Sequence, residues 1–294
     1  MPDKVLLDYF IQKMNFLKEP YLKLKDYSVT GEVFELLIDE ELQLLKTYPQ
    51  PTLDVLPKYY ESDAYISHST AKNTLFEKVY NLVRKRTIKK KLKLIQHCNV
   101  DKGMLLDIGT GTGEFLAEAK KQNWKTYGIE PSEKAKSSSK AKGLCIAEST
   151  KGFEDNFFDV ITMWHVLEHV SNLEEQILEL KRVLKPSGTI IIAVPNFKSF
   201  DAKFYGKYWA AFDVPRHLWH FSKKAIQSLF GNVQLKVVDI KPMLFDSFYV
   251  SLLSEKYKNQ KVNVVRAFYI GLRSNIYGSK NKEYSSHIYI IKHV

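Results

Sequence analysis

The stretch 104-MLLDIGTGTGEFLAEAKKQ-122 combines a short apolar run, an acidic residue, three glycines and a helical pattern. The apolar run predicts a strand over residues 104–108, and the residues after the glycines predict a helix over 114–122. A strand, a glycine turn and a helix in succession place a ligand over the N-terminus of the helix, at the carboxyl edge of a parallel sheet. The stretch therefore predicts a local fold and the position of a ligand site together.

Short apolar runs alternate with helical patterns on both sides of this turn. They predict further helices over residues 132–141 and 173–184, and further strands over residues 126–130, 144–147, 158–164, 189–194, 233–240 and 287–292. The run at 189–194 is almost continuously apolar, as in a strand buried on both faces, and the 185-KPSG-188 loop before it closes a helix. The alternation predicts an α/β fold built on a doubly wound parallel sheet.

The glycine turn excludes two common phosphate-binding motifs. Gly109 and Gly111 fit the dinucleotide fingerprint, but Glu114 occupies its last position, and no Gly-Lys-Ser/Thr follows for a phosphate loop. Asp107 and Glu114 flank the turn and would repel a pyrophosphate. They suit a cofactor that carries cations and no phosphate, as S-adenosylmethionine does. Glu130 ends the second strand, where its carboxylate would accept hydrogen bonds from both ribose hydroxyls. The alternative is that the turn only packs helix against sheet and that Glu130 caps a helix.

Three segments in sequence resemble the successive motifs of class I S-adenosylmethionine-dependent methyltransferases: 105-LLDIGTGTGEFL-116, 127-YGIEPS-132 and 157-FFDVITMWHVLEHVSNLEEQILELKRVLKPSGTIIIAVPN-196. The likeness is greatest to the bacterial small-molecule methyltransferases that include the ubiquinone-biosynthesis O-methyltransferases. The resemblance implies a Rossmann-like sheet of seven strands, the last one antiparallel, with an N-terminal cap and an inserted lid. It also implies a set of cofactor-binding residues: Asp107, Gly109, Thr110, Gly111, Gly113, Glu130, Pro131, Glu148 near the adenine, Trp164 and His165.

Two classes of nucleic-acid methyltransferase are disfavoured by the residues after the fourth strand. Amino-group methyltransferases resemble one another in an N/D-P-P-Y motif there, whereas this chain has 163-MWHV-166. Cytosine C5 enzymes need a Pro-Cys nucleophile, and neither Cys98 nor Cys145 follows a proline. The function predicted is therefore methyl transfer to a small-molecule acceptor, with a hydroxyl as the expected group.

The first histidine cluster is 164-WHVLEH-169. If a helical turn begins here, His165, Glu168 and His169 share one face, and two imidazoles with a carboxylate can bind a divalent metal. The ubiquinone O-methyltransferases are similar here, with an acid at the first position, so His165 is a departure. The resemblance makes these residues candidate metal ligands, and both histidines candidate catalytic residues. The alternative is that Glu168 and His169 only fix the backbone of the turn.

The second cluster is 213-DVPRHLWHF-221, within an insertion after the fifth strand. His217 is a candidate general base, with Asp213 beside it, and Arg216 could clamp an anionic group of the substrate. Aromatic walls with a few polar groups are typical of small-molecule pockets, which makes Trp209 and Phe212 candidate substrate contacts. The alternative is a structural lid in which His217 bonds to the backbone.

The N-terminal region resembles a subgroup in which a cysteine-rich zinc ribbon precedes a P-x-P turn and a Tyr-Tyr motif. Here 49-PQPTLDVLPKYYESDAYISHS-69 matches the downstream part, but the cysteines are absent, so we expect a degenerate, ribbon-like cap without zinc. Tyr60 and Tyr65 are candidate substrate contacts, the alternative being that this region only packs a helix onto the sheet. The predicted domains are a cap over 1–60, a basic helical linker over 61–97 and a methyltransferase domain over 98–294, with insertions at about 197–222 and 242–285.

Charge and composition indicate the partners. The chain has a formal net charge of +11, and seven of the ten residues in 84-RKRTIKKKLK-93 are basic. This helix could contact an anionic membrane surface or form a solvated face, while nucleic acid is disfavoured because glycine and aromatic interleaving is missing. Two cysteines and the absence of a signal pattern favour the cytoplasm. The rival hypothesis is a non-catalytic cofactor-binding protein that docks on membrane or nucleic acid through this helix. The sequence leaves the oligomeric state open.

Overall fold

The computed structural model describes residues 14–52, 54–60, 75–99 and 101–294. Its strands are β1 Leu22–Lys25, β2 Val33–Asp39, β3 Leu44–Tyr48, β4 Met104–Ile108, β5 Lys125–Ile129, β6 Cys145–Ala147, β7 Phe158–Trp164, β8 Leu184–Pro195, β9 Trp219–His220, β10 Leu235–Pro242 and β11 Ser286–His293. Its α-helices are α1 Leu75–Cys98, α2 Glu114–Lys121, α3 Glu133–Ala141, α4 Leu173–Val183, α5 Phe200–Tyr205, α6 Lys223–Gly231, α7 Asp246–Asn259 and α8 Val264–Asn281. Among the described helices, none has the length and apolar character needed to cross a membrane.

Seven strands form the central sheet in the order β10-β11-β8-β7-β4-β5-β6. Strands β4 to β8 pair in parallel, whereas β11 is antiparallel to both of its neighbours, β8 and β10. The predicted Rossmann-like sheet with an antiparallel last strand is confirmed. The run Ile190, Ile191 and Ile192 at its centre is fully buried, as expected for a strand covered on both faces.

The strand boundaries follow the predictions closely, with one correction. Strand β8 begins at Leu184, so 185-KPSG-188 belongs to the strand instead of forming a loop. The register between β7 and β8 shifts between Phe158 and Val160, which accommodates the extra residues as a bulge.

The second sheet joins the N-terminal region to the inserted segment. Its order is β1-β2-β3-β9, all antiparallel, and its last strand comes from the segment between β8 and α6. Leu45 pairs with His220, and the Thr47 amide donates to the Leu218 carbonyl at 3.0 Å. Cap and lid are therefore two parts of one structure. The domain boundaries expected at 60/61 and 97/98 stay predictions, and Tyr65 lies outside the described residues.

Candidate functional site

The glycine turn connects β4 to α2 at the carboxyl edge of the parallel strands. The amides of Gly109 and Thr110 both donate to the Ile129 carbonyl, at 2.8 and 3.1 Å, which ties the turn to the end of β5. Gly109, Gly111 and Gly113 all have positive φ, a conformation that L side chains rarely adopt. The backbone of the turn thus requires glycine at alternate positions.

The space around two of these glycines differs. A Cβ on Gly109 would lie 2.3 Å from Val166 Cγ2, so this glycine allows the loop after β7 to pack on the turn. A Cβ on Gly111 would meet nothing within 4 Å, so the backbone of Gly111 faces open space. Close packing on one side and free space on the other are what a ligand-binding turn needs.

Glu130 follows β5 and faces the turn. Its Oε2 accepts from the Gly111 amide at 2.7 Å and its Oε1 from the Ser132 amide at 2.9 Å. The residue is 9% exposed. Each oxygen keeps a lone pair after these bonds, so the held carboxylate can accept two further hydrogen bonds from a ligand.

Asp107 lies at the centre of this edge, paired in register with Thr162 of β7. Its Oδ1 accepts from Thr162 Oγ1 at 2.6 Å. Burial raises the pKa of Asp107 to about 7, against the opposing effects of that hydrogen bond and the charge of Lys91. A nearby cation would stabilise the ionised form of this carboxyl.

Lys91 of α1 reaches the same region, which the sequence did not indicate. Its Nζ lies 4.2 Å from the ring centroid of Trp164, at the end of β7, and 6.0 Å from that of Phe115. Burial lowers the pKa of Lys91 to about 8, while the charges of Asp107 and Asp246 oppose the shift. The helical spacing from Ile88 to Lys91 and Ile95 was the available signal, because it places Lys91 on the inward face of α1.

The remaining predicted cofactor residues lie around this edge. Trp164 Nε1 is buried and has no hydrogen-bond partner among the described residues. Pro131 is exposed after β5. Glu148 follows β6 with an exposed side chain and pairs with Lys136 of α3, N···O 3.0 Å.

His165 does not join the predicted metal set. It has φ +58°, so residues 165–169 do not form the single helical face that the prediction assumed. Nδ1 lies 3.2 Å from Glu168 Oε1 and Nε2 lies 3.0 Å from Asp246 Oδ2 at the start of α7. Burial opposes the charged form, but the hydrogen bonds to the two carboxylates raise the pKa of His165 to about 10. An imidazolium with both nitrogens bonded is neither a general base nor a metal ligand.

The structure brings His217 to Glu168 and His169 in its place. One donor atom from each of these three residues lies within 4.8 Å of the other two. The rings of His169 and His217 meet edge to face at 4.6 Å between centroids. Glu168 is 1% exposed, and its Oε2 is buried without a hydrogen-bond partner among the described residues.

Backbone carbonyls determine the tautomers of both histidines. His169 Nδ1 lies 2.9 Å from the Arg216 carbonyl and His217 Nδ1 lies 2.9 Å from the Ala211 carbonyl. A carbonyl only accepts, so each Nδ1 carries the proton and each Nε2 presents a lone pair. Burial, together with the charge of His217, lowers the pKa of His169 to about 4. Burial would raise the pKa of Glu168, but the hydrogen bond from His165 and the neighbouring histidines outweigh it and lower that pKa.

The lid residues predicted to contact substrate are instead buried and bonded to other residues of the chain. Trp209 and Phe212 are buried in an apolar cluster between cap and lid, and Trp209 Nε1 donates to Asp201 at 2.7 Å. Arg216 is buried against Asp213 and Asp26, with N···O distances of 2.7 and 3.0 Å. The prediction of Arg216 as an anion clamp is therefore replaced by a link between cap and lid, and Asp213 is its partner instead of an orienting acid for His217.

Tyr60 is the one described cap residue of the predicted substrate set, and it reaches the histidine cluster. Its Oη lies 3.1 Å from His169 Nδ1. The indole of Trp219 in β9 donates to the Val170 carbonyl at 2.8 Å, and the Leu218 amide donates to the Glu168 carbonyl at 2.7 Å. Cap and lid therefore hold the loop after β7 that carries Glu168 and His169.

Known proteins share this architecture and part of the sequence. The profile of a family described as "Methyltransferase domain" matches residues 80–240. An uncharacterized protein of Methanocaldococcus jannaschii is 29% identical over 178 residues, which are 54% of this chain and 84% of that protein. The ubiquinone biosynthesis O-methyltransferase of Rickettsia prowazekii is 26% identical over 56% of this chain and 71% of its own. Among solved structures, a geranyl diphosphate C-methyltransferase from Streptomyces coelicolor superimposes with a TM-score of 0.56 at 13% identity, covering 83% of this chain and all of that one, which shows a common fold.

Proposed function

Starting from the fact that the chain belongs to the methyltransferase domain family and is an S-adenosylmethionine-dependent methyltransferase, we propose that it methylates a hydroxyl group of a small molecule. The observation that carries this proposal is the group of Glu168, His169 and His217 at the strand edge next to the glycine turn. A hydroxyl acceptor has to lose a proton during transfer, and these side chains offer proton acceptors where the acceptor would lie. The name of the Rickettsia relative, an O-methyltransferase, supports the same class of acceptor.

The residues at the glycine turn fit the cofactor. The open space at Gly111 leaves room for the cofactor, and the Glu130 carboxylate can accept two further hydrogen bonds. The buried Nε1–H of Trp164, which has no partner among the described residues, can donate one. We propose that Glu130 holds the ribose, that Asp107 with the 109–113 turn holds the methionine end, and that Glu148 and Pro131 border the adenine. The bound cofactor supplies an electrophilic methyl group on a cationic sulfur. An ionised Asp107 would favour that cation, and its proton would leave as the cofactor binds.

We propose His217 as the general base. Its Nδ1–H is held by the Ala211 carbonyl, so Nε2 is oriented with its lone pair available. His169 is a weak proton acceptor because burial lowers its pKa to about 4. The buried Glu168 carboxylate would stabilise the positive charge that develops on His217 as it takes the hydroxyl proton. Tyr60 and His169 would then border the acceptor.

The same three donors fit a divalent metal. Glu168 Oε2 is buried without a hydrogen-bond partner in the described part of the chain, and both histidines present Nε2 lone pairs. The candidate ligand set becomes Glu168, His169 and His217, with His217 in place of His165. A bound ion would polarise the acceptor oxygen and lower the pKa of its proton.

The test separates cofactor binding from chemistry. Calorimetry with S-adenosylhomocysteine should give binding, and NADH should give none; tritiated S-adenosylmethionine then reports transfer to a panel of phenols and alcohols, with and without EDTA. His217→Gln should keep its affinity for S-adenosylhomocysteine within about twofold and lose about 10²–10⁴-fold in transfer. His97→Gln, at an exposed histidine of α1, is the control.

Three results would count against the proposal. Transfer to amines but to no hydroxyl would exclude the acceptor class. A His217→Gln variant with unchanged transfer would exclude the base. Transfer that EDTA abolishes and Mg²⁺ restores would assign the cluster to metal binding instead.

A further inference from the structure

Helices α7 and α8 form a hairpin between β10 and β11. Most of the large apolar residues of α8 lie on the face directed away from the protein. The face of α8 directed at the protein carries mostly small side chains, Ala267, Gly271, Ser274 and Gly278. The helices meet closely there, since a Cβ on Gly271 would lie 3.0 Å from Phe248 Cα of α7. Ile270 is also buried there, but most of the other large apolar side chains of α8 point into solvent.

These exposed side chains form a continuous stripe. They are Val264, Val265, Phe268, Tyr269, Leu272 and Ile276, with exposed fractions between 43% and 81%. Their spacing repeats at three and four residues, so they lie on one face of the helix. Contiguous apolar surface of this kind is uncommon on soluble proteins and marks contact with a partner or a membrane.

The residues around the apolar stripe carry mainly positive charge. Residues 242–282 contain seven basic and two acidic side chains. Asp246 turns inward to His165, and Glu255 is fully buried beside Tyr205. Arg266 pairs with this buried carboxylate at 3.3 Å. Among the described residues, the other six basic side chains of the hairpin make no ion pair, so its solvent-facing side carries an excess of positive charge. The basic face of α1 adjoins it, because Lys90 Nζ lies 5.3 Å from the ring centroid of Phe245.

We propose that the α7–α8 hairpin docks the protein on the surface of an anionic lipid bilayer. The apolar stripe of α8 would enter the boundary between headgroups and acyl chains, and the surrounding lysines and arginines would meet lipid phosphates. The occupant is not a second copy of the chain, because a two-fold contact would bring the same cations face to face without compensating acids. This placement moves the membrane contact from the basic helix alone to α8, with α1 at its border.

The docking surface is connected to the candidate site. Helix α7 begins at Asp246, which bonds to His165 in the loop after β7. A docked hairpin would hold that strand edge close to the bilayer, where a membrane-dissolved acceptor would be concentrated. Docking itself requires neither a particular acceptor nor the base.

Vesicle sedimentation tests the proposal with the full chain. The vesicles are phosphatidylcholine alone, or with about a third phosphatidylglycerol. The variant Val265→Ser, Phe268→Ser, Leu272→Ser removes apolar residues that are already exposed, so it should fold. The matched control, Leu17→Ser, Val33→Ser, Val238→Ser, removes three apolar residues exposed elsewhere.

We expect the native chain to bind the anionic vesicles, and to bind them less as salt is raised. The α8 variant should lower the partition coefficient about tenfold or more, and the control should stay within about twofold. Absence of binding by the native chain, equal binding to neutral vesicles, or equal loss in both variants would overturn the proposal. So would a dimer, seen by sedimentation without vesicles, that the α8 variant dissociates.

Discussion

Replacing Arg216 with methionine should cost far more stability than replacing any partly exposed arginine. The Arg216 guanidinium is 4% exposed and lies between the cap and the lid. It donates from Nε and Nη2 to Asp213, from Nη1 to the Tyr59 carbonyl at 2.8 Å, and from Nη2 to Asp26 and Ser28 Oγ. The side chain therefore joins three separate parts of the chain through one buried charge.

The size of the loss follows from what Arg216→Met leaves behind. The Asp26 side chain has no exposed surface, so its carboxylate would stay buried without a counter-charge. Removing one partner of a buried ion pair costs about 3–5 kcal/mol. Arg182 is the matched control, because it also makes five hydrogen bonds but is 24% exposed. Arg182→Met should cost about 1 kcal/mol or less.

The pH dependence gives the loss a second signature. Burial favours a raised pKa for Asp26, but the Arg216 hydrogen bond and charge, with the backbone amides of Thr30 and Ser28, hold that pKa below its ordinary value. In the native chain the stabilisation by Asp26 is present above the ordinary pKa and disappears as the pH falls through the lowered one. In Arg216→Met the pKa of Asp26 rises, so the deficit should be largest at neutral pH and should shrink in acid.

Urea unfolding followed by circular dichroism measures both variants at several pH values. Asp26→Asn in the Arg216→Met background should recover at least about 1 kcal/mol, because an amide carries no charge to bury. If Arg216→Met costs no more than Arg182→Met at neutral pH, or if Asp26→Asn recovers nothing, then Arg216 does not balance a buried charge and the reasoning is wrong.

Four further substitutions test the site. Gly109→Ala should destabilise the fold strongly because its Cβ would overlap Val166. Gly111→Ala should cost only about 1–2 kcal/mol of backbone strain and should weaken S-adenosylhomocysteine binding in calorimetry. Equal thermal stability of the two variants would refute the packing argument. Glu130→Ala should weaken the same binding by at least about 2 kcal/mol, and unchanged affinity would show that this carboxylate does not hold the ribose. His165, with its pKa raised to about 10, stabilises the fold fully below its ordinary pKa near 6.5, and the stabilisation is lost as the pH rises through 10. His165→Gln should remove that decline in the free energy of unfolding. The decline is roughly 2 kcal/mol after solvent screening, because the His165 side chain is 35% exposed. A thermal-melting profile of the variant with the native pH slope would contradict this.

The sheet could be predicted from sequence because its strands are encoded locally. The runs 104–108 and 158–164 are apolar, short and bounded by turns, and the structure has strands at the same residues. The cap–lid sheet could not be predicted in this way. Strand β9 has two residues, too few for any periodic pattern, and its partner β3 lies about 170 residues earlier in the chain. Pairing of this kind is specified by packing at long range.

The positions of the glycine turn and Glu130 were more predictable than the composition of the histidine cluster for a related reason. Gly109 to Gly113 and Glu130 lie at strand ends, so the strand pattern positions them. The metal hypothesis assumed one helical face for 165–169, but His165 has positive φ, and a 3₁₀ turn covers only Leu167–His169. The side chain of His165 consequently reaches α7, about 80 residues later, for its second carboxylate. Sequence periodicity does not reveal a single residue in the left-handed region. His165 is such a residue, and His217 takes its place as the third member of the candidate set.

The two halves of the site also depend on different parts of the chain. The proposed cofactor half comes from residues 107–164, inside the region that the methyltransferase family shares. The proposed acceptor half would need the cap, because Tyr60 contacts His169, and the lid, because the Arg216 carbonyl and His217 complete the cluster. Since Arg216 also ties the lid to Asp26 of the cap, loosening the cap should free His217 and His169 while Glu130 keeps its bonds to the turn. The cap would thereby determine which acceptor is methylated, and the shared fold would determine only that a methyl group is available.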